Sequence, residues 1–115
     1  LTVTVTLLTD HLGSNRPKVM GIEYCVDAVL DITSYTPLGE LVDASDLGLS
    51  TISAVLITGI ENGSTHALAI DTDADGDYAS SSTFKVLSTD LDGTNAESTP
   101  TANVGCVRVR VWGNL

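Results

Sequence analysis

Apolar and polar positions alternate with a period of two through most of the chain. No window of helical length keeps an apolar stripe, so the sequence predicts an all-β domain. Residues 2–8 place Val3, Val5 and Leu7 on one face and Thr2, Thr4 and Thr6 on the other. The strictest alternation sets Met20, Ile22, Tyr24, Val26, Ala28, Leu30 and Ile32 against Glu23, Cys25, Asp27 and Asp31. That predicts one long strand with a single buried face. Residues 51–60 carry Ile52, Ala54, Leu56 and Ile60 in one phase and Val55 and Ile57 in the other, so this strand is expected to be buried on both faces. Further strands are predicted over 65–71, 81–88 and 104–112, the last alternating Val107, Val109 and Val111 with Cys106, Arg108 and Arg110. Thr and Val enrichment suits such pleated, half-buried elements.

The breakers fit between these strands. Gly13 and Pro17 close the first, and Pro37 and Gly39 lie in the turn-rich stretch after the long strand. Asp43 and Gly48 bracket one short helical turn as an N-cap and a stop. Asn62-Gly63 predicts a tight type I′ hairpin between the strands over 51–60 and 65–71. Residues 89–103 are polar and aperiodic and read as a long exposed loop. About six strands and one helical turn make a small single-domain β-sandwich of jelly-roll-like type over 1–115, with 1–18 as an N-terminal strand or arm.

Composition narrows the function classes. The 115 residues are 43% hydrophobic but only 4% aromatic, so the core must be aliphatic and a stacking platform for sugars is poorly supplied. Five basic against fifteen acidic residues give a net charge of −10, the wrong sign for nucleic acid or an anionic membrane. The longest apolar runs fall far short of the roughly 18 residues of a membrane-spanning helix, and 1–8 does not show a signal-peptide pattern. A soluble domain is expected. Cys25 and Cys106 have no zinc or redox-motif spacing, so two buried free thiols are the default and a single disulfide the alternative.

Charge is unevenly placed. Arg16, Lys18, Arg108 and Arg110 lie near the two ends of the chain, and only Lys85 interrupts the acidic middle. If the ends meet in space, one basic face sits on an acidic body and suits docking to an acidic partner; ordinary solvated charge is the plainer reading. Arg108 is also placed to pair across a sheet with Glu23 or Asp27, which would bring the two thiols together.

The acidic run Asp71-Thr72-Asp73-Ala74-Asp75-Gly76-Asp77 matches the first half of an EF-hand loop. Position 12 of that frame is Ser82 rather than Glu, and no helices flank it, so a solvated turn is the stronger reading. The second is a weak calcium site on Asp71, Asp73, Asp75 and Asp77, in a secreted or cell-surface β module. His66 reads as a partly buried structural histidine and His11 as a loop residue. With no nucleophile elbow and no phosphate loop, the chain is expected not to be an enzyme and to need no cofactor.

The run from Val29-Leu30-Asp31-Ile32-Thr33-Ser34-Tyr35 through Gly39-Glu40 to Ala44-Ser45-Asp46-Leu47-Gly48-Leu49, followed by a strand, resembles a pattern in small tailed-phage structural proteins. The terminal Val107-Arg108-Val109-Arg110-Val111-Trp112-Gly113 resembles their last strand more loosely. The resemblance is to capsid decoration, or cement, proteins. It implies an all-β module on the outer surface of the virion's capsid that binds the phage major capsid protein and stabilises contacts between its subunits. It also implies a homo-oligomer, a trimer in preference to a dimer. Residues 1–8 with Arg16, Lys18, Arg108 and Arg110 are then the docking surface. The acidic loop and the long loop over 89–103 depart from the family pattern.

Overall fold

The computed structural model of the chain describes residues 3–72 and 81–115. Among them, eight strands form two antiparallel sheets. The strands are β1 (Val3–Leu7), β2 (Lys18–Met20), β3 (Glu23–Ile32), β4 (Glu40–Asp43), β5 (Thr51–Ile60), β6 (His66–Asp71), β7 (Thr83–Asp90) and β8 (Gly105–Asn114), with a 3-10 turn over Ala44–Leu47. The larger sheet runs β1-β3-β8-β5, with β2 also on β3; the smaller runs β4-β7-β6.

The core is aliphatic, as the composition requires. Val26, Ala28, Leu30 and Ile32 of β3 and Val107, Val109 and Val111 of β8 face inward, and Val42, Phe84 and Val86 of the smaller sheet meet them in one buried cluster. Alternate residues share a sheet face, so period two puts every second side chain of β3 and β8 into this layer.

Several expected elements are corrected. The run over 20–32 is not one strand. β2 folds back on β3 with Met20 opposite Glu23, and the two-residue loop Gly21-Ile22 turns the chain. Gly21 has φ 72°, the left-handed conformation a first loop position needs. β4, directly after the turn-rich stretch that ends at Gly39, is a further strand that the pattern did not predict. β5 is not buried on both faces. A bulge between Ile52 and Ala54 moves the inward phase from Ile52 to Val55 and Ile57, and leaves Leu56 exposed.

The Asn62-Gly63 segment is not a type I′ hairpin. β5 and β6 belong to different sheets, and the turn carries the chain between them. The amides of Thr65 and His66 donate to the Asn62 carbonyl at 3.1 and 3.0 Å, and the Asn62 side chain donates to the Val104 carbonyl at 3.0 Å. These tertiary anchors override the local turn preference.

The short helical turn is present and ends at Gly48 in the left-handed region, but Asp43 caps it without a side-chain hydrogen bond. The loop after β7 is less free than its polarity suggests. Ser98 and Val104 are buried, and Tyr35 brackets it through backbone bonds to Thr101 and Ala102, each 2.9 Å.

Candidate functional site

β3 exchanges partners along one edge: β1 pairs with residues 28–32 and β2 with residues 23–25. Between them residues 8–17 belong to no strand, although the Leu8 amide still donates to the Asp27 carbonyl at 2.9 Å, and a cleft of about 350 Å³ lies there. Arg16, Lys18 and Arg110 line it with Asp10, His11 and Asp27, over a floor that includes Cys25, Val26 and Met20.

Asp10 builds the loop wall. Its Oδ1 accepts the amides of Leu12 at 2.8 Å and Ser14 at 3.0 Å, and its Oδ2 lies 3.1 Å from the Lys18 Nζ. The Ser14 amide foremost, with Lys18 and the Leu12 amide, holds the Asp10 carboxyl down at about 2. The sheet builds the other wall. Asp27 and Arg110 stand directly opposite each other in the β3–β8 ladder. Their fork is bidentate, with Nε 2.8 Å from Oδ1 and the terminal nitrogen 3.1 Å from Oδ2. That hydrogen bond leads in lowering the Asp27 pKa, and the charges of Arg108 and Lys18 add to it. Burial pushes the Cys25 thiol up.

Three of the four residues expected to form a basic surface therefore meet at one cleft. Arg108 does not line it; it stands exposed two residues from Arg110 on the same face of β8. Arg110, rather than Arg108, pairs with Asp27, and Glu23 instead accepts the Ser53 hydroxyl at 2.7 Å. The thiols are not brought together: Cys25 faces Trp112 and Cys106 faces Asp31, and both are free. Cys25 is buried and Cys106 only half-buried. The first strand is no free arm either. Val3 is buried and Val5 and Leu7 pack on the core, so β1 offers only Thr4, Thr6 and its outer edge. Within the cleft three cations face two carboxylates, leaving an excess of one positive charge on a strongly acidic chain.

Asp71 ends β6, exposed and opposite Lys85. Asp73, Asp75 and Asp77 lie outside the described residues. Among the described residues no three His, Cys, Asp or Glu side chains group as metal ligands.

Sequence reasoning missed a polar cluster at the far end of the smaller sheet. His66 Nδ1 lies 3.1 Å from Asp90 Oδ1, 3.3 Å from Ser98 Oγ and 3.4 Å from Ser88 Oγ. Ser98 donates to Asp90 at 2.8 Å, Ser88 and Ser98 share a 2.7 Å bond, and the Ser88 amide donates to the Tyr35 hydroxyl at 3.2 Å. A hydrolytic triad sets carboxylate and nucleophile on opposite ring nitrogens. All three oxygens here gather on one, an arrangement that clasps the loop to β7. Strand parity pointed His66 and Ser88 inward; nothing in the pattern marked Ser98.

No protein-family model matches the chain, and no curated protein or solved structure matches it.

Proposed function

We propose that this chain is a capsid decoration protein. It binds the outer surface of a tailed-phage head and braces contacts between major capsid subunits, working without catalysis or a cofactor. The observation that carries this reading is the gathering of Arg16, Lys18 and Arg110 at one cleft, with Arg108 beside them, on a chain of net charge −10. Such a body has one face suited to an acidic protein surface while its remaining charge keeps it soluble and repels nucleic acid. The segments that resemble decoration proteins support the same reading, and so does a small aliphatic two-sheet body. The trimeric state is part of the proposal. Three linked copies turn individually weak grips into a lasting one, since the second and third contacts become effectively intramolecular.

The test is co-sedimentation with heads stripped of this chain. The triple variant R16E/K18E/R108E reverses three exposed charges and spares Arg110, whose loss would strand Asp27. Its occupancy at low salt should fall by about tenfold or more while it stays folded, its melting lowered only by the loss of the Lys18–Asp10 pair. Wild-type occupancy retained by a folded triple variant removes the electrostatic docking; a wild-type chain that never sediments with heads removes the function.

A further inference from the structure

The β2–β3 hairpin carries apolar side chains that are largely open to solvent. Val19 is 65% exposed, Met20 51% and Ile22 89%, and Leu12 on the neighbouring loop is 80% exposed. All three residues of β2 are exposed, so the strand's side chains add nothing to the core. Water-facing apolar groups concentrated in one short element mark an interaction surface rather than scattered chance exposure. The element is also held in shape. Lys18, Val19 and Met20 pair with Cys25, Tyr24 and Glu23, and the loop between has only two residues, so little order is lost on binding.

We propose that this hairpin is an apolar anchor, with Ile22 at its tip, and that its receptor is an apolar depression bordered by carboxylates on the capsid subunit. The inference rests on the decoration reading and specifies its partner site. Charge complementarity selects the occupant. Lys18 on β2 and Arg16 just before it face Arg110 across the cleft; with Lys18 paired to Asp10 and Arg110 to Asp27, the rim keeps an excess of one positive charge. An apolar centre inside a polar rim is the ordinary anatomy of a protein interface, and a cationic rim calls for an acidic counterpart. A second copy of this chain, or an anionic lipid surface, would meet the same rim, and the experiment separates them.

Wild type, Ile22→Asp, Val19→Ser and R16E/K18E are compared for occupancy of stripped heads at low salt and at about 0.5 M salt, where exposed charges are screened within a few ångströms. Both apolar substitutions are exposed and should leave melting unchanged. Wild type should keep a salt-resistant share of its occupancy. Ile22→Asp should weaken binding about tenfold or more at both salts, Val19→Ser less, and R16E/K18E chiefly at low salt. If Ile22→Asp matches wild type at both salts while R16E/K18E does not, docking is electrostatic and the anchor is wrong. If Ile22→Asp instead changes the solution mass, the hairpin serves a second copy. If it abolishes binding to phosphatidylglycerol vesicles and spares heads, the hairpin serves a membrane. Either result overturns the proposal and leaves the decoration reading standing, whereas failure of wild type to bind heads overturns both.

Discussion

Gly113 shows how closely the edge of the larger sheet is fitted. A β-carbon there would run into the backbone carbonyl of Thr51 where β5 begins beside β8. The obstacle is backbone, so no rotamer change relieves it, and the start of β5 would have to move. That start also carries the joint between the sheets, because the Ile52 amide donates to the Ser81 carbonyl at 2.7 Å. Gly113→Ala should therefore cost about 3 kcal/mol, at the upper end of overpacking penalties. The measurement is the denaturation midpoint against wild type, and a loss below about 0.5 kcal/mol would show that β5 does not press on β8 as described. Gly105 occupies a different kind of position. Its φ of 92° lies in the left-handed region, beside the Asn62 and Glu61 side chains that turn the chain toward the smaller sheet.

At the level of elements, the loop over 8–17 depends on a single carboxylate. Asp10 gathers two amides and one ammonium, and it titrates near 2 in place of the ordinary 3.8. A carboxyl whose folded pKa is depressed contributes stability that is complete above its unfolded pKa and is lost as pH falls through the folded one. The window therefore runs from about pH 4 down to about pH 2. Asp27, lowered by Arg110, acts in the same direction. Melting temperature followed from pH 6 to 2 should fall more steeply for wild type than for Asp10→Asn, the curves converging at the acid end. Parallel curves would mean that the loop does not rely on the Asp10 charge. The same region shows what alternation can and cannot reveal. The inward faces of β1, β3 and β8 were legible because each keeps one phase from end to end. β2 was not, because the even-numbered apolar phase runs on in the sequence through the two-residue loop: Met20 and Ile22 match Tyr24 in spacing, although the chain reverses between them and Met20, opposite Glu23, lands on the face away from Tyr24. β5 was misread for the opposite reason, since its bulge at Ser53 changes phase without a break in apolar character. The excess of cations near both ends was countable, but their partners Asp10 and Asp27 follow from loop geometry and strand register, which composition does not contain.

Across the whole molecule, that register decides the state of the thiols. β3 and β8 run antiparallel, so Cys25 near the start of β3 lies beside the end of β8, and Cys106 near the start of β8 lies beside the end of β3. Cys106 faces Asp31, six positions along β3 from Cys25. At about 3.3 Å per residue the two are about 20 Å apart. A disulfide needs α-carbons within about 7 Å, so closing one would require dismantling the central pair of the larger sheet. A bridge across so long a loop would contribute between about 4 and 5 kcal/mol, and without it stability rests on the aliphatic layer between the sheets. Burial raises both thiol pKa values, which leaves little thiolate at neutral pH. Melting should therefore be the same with and without reductant. Native-state alkylation should label half-buried Cys106 before buried Cys25, and denaturation should expose two free thiols. A reductant-dependent drop in melting temperature, or a peptide joining Cys25 to Cys106 in one chain, would contradict the β3–β8 register. It would also undo the pairing of Asp27 with Arg110 on which the cleft is built.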